Sequence, residues 1–173
     1  MDNLLQTADE IRRMSESELA QVAEDGLTIR LREQGESGRQ CYGGLQPSNI
    51  GTFLEDRDHV RHLTRLVMEL GEMGMHQFAQ PASDIRNPGG IMLYIRPALA
   101  KRPDYLVRAI AYMIPVINYG KIIEDEHCIT YGAALFGESP DEFYQSICEL
   151  ADWVGAIESF PESKKSSIPC GCH

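Results

Sequence analysis

The chain has 173 residues, of which 43% are hydrophobic and 24% charged, a composition typical of a globular protein with one sizeable core. Its formal net charge of −10 repels nucleic acid and anionic membrane surfaces, which excludes both as main partners. No apolar run reaches the roughly 18 residues that span a bilayer, so we expect no membrane insertion. Without a secretion signal or a regular cysteine framework, we expect a cytoplasmic, reducing location.

Two helix-start signals lie close together near the N-terminus. The segments TADE at 7–10 and SESE at 15–18 both fit the capping box, whose side chains satisfy the free amides of a first helical turn. They predict a short helix, a break near Met14–Ser15 and a second helix over about 16–33. Residues 35–52 contain five glycines and one proline, which predicts a long loop or a loop with fragments of secondary structure.

The next segment carries apolar residues at spacings of three and four. This pattern predicts a helix with one buried face between Glu55 and Phe78, built on Val60, Leu63, Leu66, Val67, Leu70 and Met73. The segment QPASDIRNPGG at 80–90 ends that helix. The short apolar piece IMLYI at 91–95 fits a strand or a helix equally well.

The last part of the sequence predicts three more helices. Pro103 suits a first helical turn, and Pro115 is expected to bend or break the helix that follows. The residues expected to face inward on this helix are Leu106, Ala109, Ile110, Met113 and Ile117. A helix over 120–136 with Gly137 as its cap, and one from SPDE at 139–142 to about 159, complete the series.

These elements predict an all-α domain of seven or eight helices over residues 1–160. We expect the polar residues 161–173 to form a flexible tail. Seven or eight helices are the number expected for a globin-like packing with an N-terminal extension.

Five segments, taken in order, resemble the phycobiliproteins, the globin-like light-harvesting subunits of cyanobacterial antennae. They are RRMSESEL, FAQPASDIRNPGG, KRPDYLVRAIAY, KIIEDEHC and ALFGESPDEF, which start at residues 12, 78, 101, 121 and 134. The resemblance implies a phycobiliprotein-type globin fold with an N-terminal helical hairpin.

The resemblance also implies a site for a linear tetrapyrrole (bilin). Leu99 stands where the family has the cysteine that forms a thioether, and leucine has no nucleophile. Lys101 stands at the propionate-binding position, and Arg102 replaces an aspartate that meets the pyrrole nitrogens, so the two cations would engage the two propionates. Asp104 could take that role after a small shift. Tyr105 and Tyr112 would flank the ring faces.

Relatives of the antenna proteins that lack the usual cysteine are known as bilin biosynthesis-associated globins. The resemblance therefore implies a carrier that holds biliverdin or phycocyanobilin non-covalently, with Cys128 as an alternative thiol anchor. It also implies partners among bilin-biosynthesis, antenna-assembly or photosystem-assembly proteins. A homodimer would form through the N-terminal helices, with Asp9, Arg13 and Arg108 at its interface.

Two other hypotheses remain open. The fold could serve as a protein-interaction module whose pocket is filled by side chains such as Leu99. It could instead be a metal-binding helical protein, using one of the pairs Glu72/His76 and Glu124/His127 or other histidines such as His59 and His62. No nucleophile–base pair or phosphate loop occurs, so we do not expect an enzyme.

Overall fold

The computed structural model describes residues 14–159, so the predicted helix at 7–10 and the predicted tail lie outside the described residues. Within that range the chain forms five α-helices, three strands and two 3₁₀ turns. In chain order they are α1 (Glu16–Tyr42), α2 (Ile50–Glu55), β1 (Thr64–Val67), β2 (Ala79–Ser83), β3 (Ile91–Ile95), a turn at Pro97–Lys101, α3 (Pro103–Tyr119), a turn at Gly120–Ile122, α4 (Asp125–Phe136) and α5 (Pro140–Ser159). The mostly helical prediction is confirmed, but the sheet is a departure from an all-α chain. None of the described helices is long and apolar enough to cross a bilayer.

Helix α1 starts where the capping box places it and ends later than predicted. The Glu18 N–H donates to Ser15 Oγ, and the Ser15 N–H donates to the Glu18 carboxylate. The helix then runs to Tyr42 and stops at Gly43, whose φ of 71° is a left-handed C-cap. The prediction of a loop over 35–42 is therefore wrong.

Two glycines in that segment serve helix packing. A Cβ on Gly35 would lie 2.5 Å from the carbonyl oxygen of Tyr131, and one on Gly38 would lie 2.8 Å from Leu135 Cδ1. Both contacts are with α4, so the missing side chains let α1 and α4 come into close contact. The glycines that predicted a loop therefore mark the place where two helices contact each other.

The predicted helix over 55–78 is also wrong, because the segment contains β1 between loops. Strand β1 pairs in parallel with β3, and β2 pairs antiparallel with β3, which gives the order β1–β3–β2. The apolar residues of the segment do not share one face: Val60 is buried, while Leu63 and Leu70 are 54% and 48% exposed. Gly71, with φ of 53°, also interrupts any helix there.

The sheet buries one face in the core. Leu93 and Ile95 of β3 are fully buried, and β2 packs against α3. The opposite face carries Arg65, Met92 and Tyr94, which remain partly or largely accessible. The ambiguous segment at 91–95 is a strand, because it lies between two paired strands.

The predicted start of α3 at Pro103 is confirmed. Ala109, Ile110 and Ile117 are buried as expected, and Leu106 and Met113 are half-buried. The helix continues through Pro115 to Tyr119, so no break occurs there. The capping box formed by Ser139 and Glu142 and the left-handed cap at Gly137 are both confirmed.

A polar network joins the end of α1 to the chain after α2. The Tyr42 hydroxyl donates to Asp56 at 2.7 Å, and the Asp58 N–H donates to the same carboxylate at 2.9 Å. His59 Nδ1 lies 3.1 Å from it. The Tyr42 hydrogen bond is the main cause that lowers the pKa of Asp56, followed by the Asp58 amide.

The contact between α4 and α5 predicts the effect of Gly132→Ala. A Cβ on Gly132 would lie 2.1 Å from Cζ of Phe143, which is fully buried. We expect this variant to lose about 1–3 kcal/mol of unfolding free energy in a urea titration, because the core cannot accept the extra atom. Gly51→Ala in α2 is the control, since nothing lies within 4 Å of its Cβ position. Equal effects of the two variants would contradict the packing argument.

The Asp56 network predicts a pH dependence. The folded-state pKa lies below the ordinary value of 3.8, so the contribution to stability is complete above that value and is lost as pH falls through the folded pKa. We expect Asp56→Asn to be less stable than the parent by about 1–2 kcal/mol at pH 7, the loss of a hydrogen-bonded charge. Urea titrations should show this difference narrowing below pH 4. A difference that stays constant from pH 7 to pH 3 would refute the assignment.

Candidate functional site

Leu99, the first residue of the predicted bilin site, lies in the hydrophobic core. The 3₁₀ turn at Pro97–Lys101 directs Leu99 inward, where it is fully buried, and leaves Lys101 exposed. A side chain packed in this way fills space that a pigment would need.

Arg102 and Asp104 bind each other. Two guanidinium nitrogens of Arg102, Nε and Nη2, donate to the Asp104 carboxylate at 3.0 and 2.8 Å. This bidentate bond is the largest cause of the lowered pKa of Asp104 and the raised pKa of Arg102. The two groups assigned to propionate and pyrrole therefore already neutralise one another.

Arg102 also covers an aromatic pair. Its guanidinium carbon lies 3.9 Å from the Tyr105 ring centre and 5.5 Å from that of Trp153. The two rings meet edge to face at 5.5 Å. Sequence reasoning missed Trp153, because α5 brings it here from a distant part of the chain.

Tyr112 has a different environment from Tyr105. Its hydroxyl donates to Asp125 at 2.7 Å, and its ring packs edge to face against Phe78 at 5.6 Å. Burial is the main cause of its raised pKa, followed by the bond to Asp125. The structure therefore brings Arg102, Asp104 and Tyr105 together. Tyr112 contacts a different pair of residues, Phe78 and Asp125.

Cys128, the alternative anchor, is 2% exposed. Burial raises the pKa of its thiol to about 12, so the thiol is protonated at neutral pH. A buried, protonated thiol is a poor nucleophile.

Arg108 is paired within its own chain. Its guanidinium donates to both carboxylate oxygens of Glu138, at 2.9 and 2.6 Å, and to Ser146 Oγ at 2.9 Å. The Glu138 bonds raise the pKa of Arg108. Asp9 and Arg13, its predicted companions at a dimer interface, lie outside the described residues.

Two residue pairs were predicted as metal ligands. Glu124 and His127 cap the start of α4, and Glu72 and His76 do not lie on a helix. His127 Nδ1 accepts the N–H of Glu124 at the start of α4. Its Nε2 lies 2.7 Å from the Glu24 carboxylate but is misaligned for a hydrogen bond. Glu72 and His76 lie in the loop after β1. Over residues 14–159, no three His, Cys, Asp or Glu side chains are grouped closely enough to hold a metal ion.

The first three turns of α1 form an arm that sequence reasoning did not single out. Every residue from 16 to 26 is exposed, although Glu24 contacts His127, and the packed positions of the helix run from Leu27 through Leu31, Gly35 and Gly38. Leu19, Val22, Gly26 and Ile29 recur at spacings of three, four and three, so they lie along one side of the helix. That side is opposite the packed one.

This side of α1 carries three apolar side chains that no other described residue covers, and polar side chains follow them toward the C-terminal end of the helix. Leu19, Val22 and Ile29 are 39%, 55% and 52% exposed. A hollow of about 450 Å³ adjoins them, lined by Gly26, Ile29, Arg30, Glu33, Gln34 and Ser37. We call these residues, together with Leu19 and Val22, the outer face of α1.

In comparisons with known proteins, no family model, curated protein or solved structure matches the chain. The resemblance to phycobiliproteins therefore stays a prediction.

Proposed function

We propose that this chain is a protein-interaction module that holds a helix against the outer face of α1. The observation that carries the proposal is a helix whose apolar side chains Leu19, Val22 and Ile29 are not covered by any part of the chain from residue 14 to residue 159. An apolar stripe at helical spacing is the pattern by which one helix packs on another.

Burial of this face supplies a driving force for binding. Val22 and Ile29 each expose about half of their surface, and full burial of such a side chain contributes roughly 1.5–3 kcal/mol. A docked helix would also protect the first turns of α1, since short helices without tertiary packing are marginal in water.

The filled environment of the predicted pigment site favours this role over a pigment carrier. Leu99 lies in the core, and Arg102 is bound to Asp104. The resemblance implies bilin-biosynthesis, antenna-assembly or photosystem-assembly proteins as partners. These partners also remain proposals.

The test uses a designed amphipathic helix as the probe, with leucines at spacings of three and four. We expect the full chain to bind it, because its leucines can seat against Val22 and Ile29. Val22→Ser combined with Ile29→Ser should weaken binding at least tenfold, equal to about 1.4 kcal/mol, in a fluorescence anisotropy titration.

A matched control removes two exposed aliphatic side chains elsewhere. Ile122→Ser with Ile157→Ser does so at residues that are 61% and 40% exposed. Binding should be unchanged in this control. Failure of the probe to bind the parent chain at concentrations where that chain is monomeric, or equal losses in both double variants, would eliminate the proposal.

A bilin carrier with the globin-like, phycobiliprotein-type fold is the second candidate. One observation favours it: the Arg102 guanidinium lies on Tyr105 beside Trp153, with Lys101 exposed nearby. Cations next to aromatic rings suit a planar pigment that carries carboxylates.

For this candidate we expect biliverdin to show a red-shifted, sharper visible band when the protein is added. Lys101→Ala with Arg102→Ala should abolish the change, because both propionate contacts are removed. Lys121→Ala is the control, since Lys121 is an exposed lysine in the other 3₁₀ turn. A free-pigment spectrum in the presence of the parent protein would remove this candidate.

A further inference from the structure

The outer face of α1 has a shape that suits one particular helix. In helix pairs, a side chain of one helix fits between four residues of the other, at positions i, i+3, i+4 and i+7. The hollow contains two such sets in succession: residues 26, 29, 30 and 33, then residues 30, 33, 34 and 37. It therefore offers places for two consecutive side chains of a crossing helix.

A second α1 presents two apolar side chains at the matching interval. If two copies pair antiparallel about a two-fold axis at Gly26, Val22 of one copy lies opposite Arg30 of the other, at the centre of the first set. Leu19 then lies opposite Glu33, at the centre of the second set. The same contacts repeat on the other side of the axis, as in any isologous interface.

Gly26 itself suits the position on the axis. It is exposed, and nothing lies within 4 Å of the position that its Cβ would occupy. The two helices can therefore approach closely where they cross.

The charges of α1 favour the antiparallel arrangement. Residues 16–25 contain four carboxylates and no lysine or arginine, while residues 30–39 contain three arginines and two glutamates, so the formal charges of the two halves are −4 and +1. Antiparallel pairing sets the acidic half of each copy against the half that carries the arginines. Parallel pairing would set the two acidic halves side by side.

One flanking pair follows from this geometry. Glu18, Asp25 and Arg32 are seven residues apart and share one flank of the helix. The two-fold axis brings Glu18 of one copy within about 3 Å, along the helix axis, of Arg32 of the other. The same axis brings the two Asp25 carboxylates equally close beside Gly26, a like-charge contact that the two Glu18–Arg32 pairs have to offset. Arg32 is exposed and has no ion pair within the described residues.

We infer that the helix held by the outer face of α1 is α1 of a second copy, packed antiparallel about Gly26. This inference rests on the proposed function and names its partner. The resemblance also implies a dimer through N-terminal helices, but the interface inferred here is built on Val22, Gly26 and Ile29 and not on Arg108, which is bound to Glu138.

The test measures the dimer dissociation constant of the full chain by sedimentation equilibrium. We expect a reversible dimer that is lost in Gly26→Leu, because two branched side chains would meet at the axis. Val22→Ser with Ile29→Ser should weaken the dimer at least tenfold, while the control Ile122→Ser with Ile157→Ser should leave it unchanged. Circular dichroism of each variant checks that it is folded.

A charge exchange tests the register of the pairing. Glu18→Arg and Arg32→Glu should each weaken the dimer at least threefold, because each places like charges side by side. The chain that carries both changes should recover the parent constant to within twofold. A dimer that ignores both single changes, or a double variant without recovery, overturns the antiparallel register.

The result also separates this inference from the proposed function. A parent chain that is monomeric at all concentrations overturns the second copy as occupant. If the designed helix still binds that monomer through Val22 and Ile29, the proposed function stands and the partner is another protein.

Discussion

The close contact between α1 and α4 is the constraint on which the rest of the structure depends. Gly35 and Gly38 leave no room for a side chain between the two helices, so the second half of α1 has one position against the core. The first turns of the helix continue in the same line, where residues 16–26 are exposed and Glu24 still contacts His127 of α4. The exposed arm is thus a consequence of the packing at the other end of the same helix.

Two arginines show how a local bond limits the roles available to a side chain. Arg102 is bound to Asp104, and Arg108 is bound to Glu138, each through two parallel hydrogen bonds. A ligand or a partner subunit that recruited either guanidinium would first have to replace those bonds. The cation at such a position is therefore a weak guide to function unless the residue that neutralises it is also known.

Signals that act over one helical turn could be predicted from the sequence. The capping boxes at Ser15 and Ser139, the start at Pro103 and the cap at Gly137 all depend on residues within a few positions of each other. The sheet could not be predicted in this way, because β1 pairs with a strand that begins 27 residues later, at Ile91.

The same limit applies to the candidate site. The spacing of Leu19, Val22 and Ile29 can be read from the sequence, but an apolar stripe usually faces the core. Only the glycine contacts with α4 show that the opposite side of α1 is the packed one. Likewise, nothing near Tyr105 in the sequence indicates that Trp153 covers it, because that contact joins two different helices.

Trp153 is the single tryptophan of the chain, and it lies half-buried beside Arg102 and Tyr105. Its indole emission therefore comes from one known place on the molecule. A guanidinium above the ring and a neighbouring phenol both affect the intensity and wavelength of that emission. Intrinsic fluorescence consequently reports on the surface formed by α3 and α5 without any attached dye.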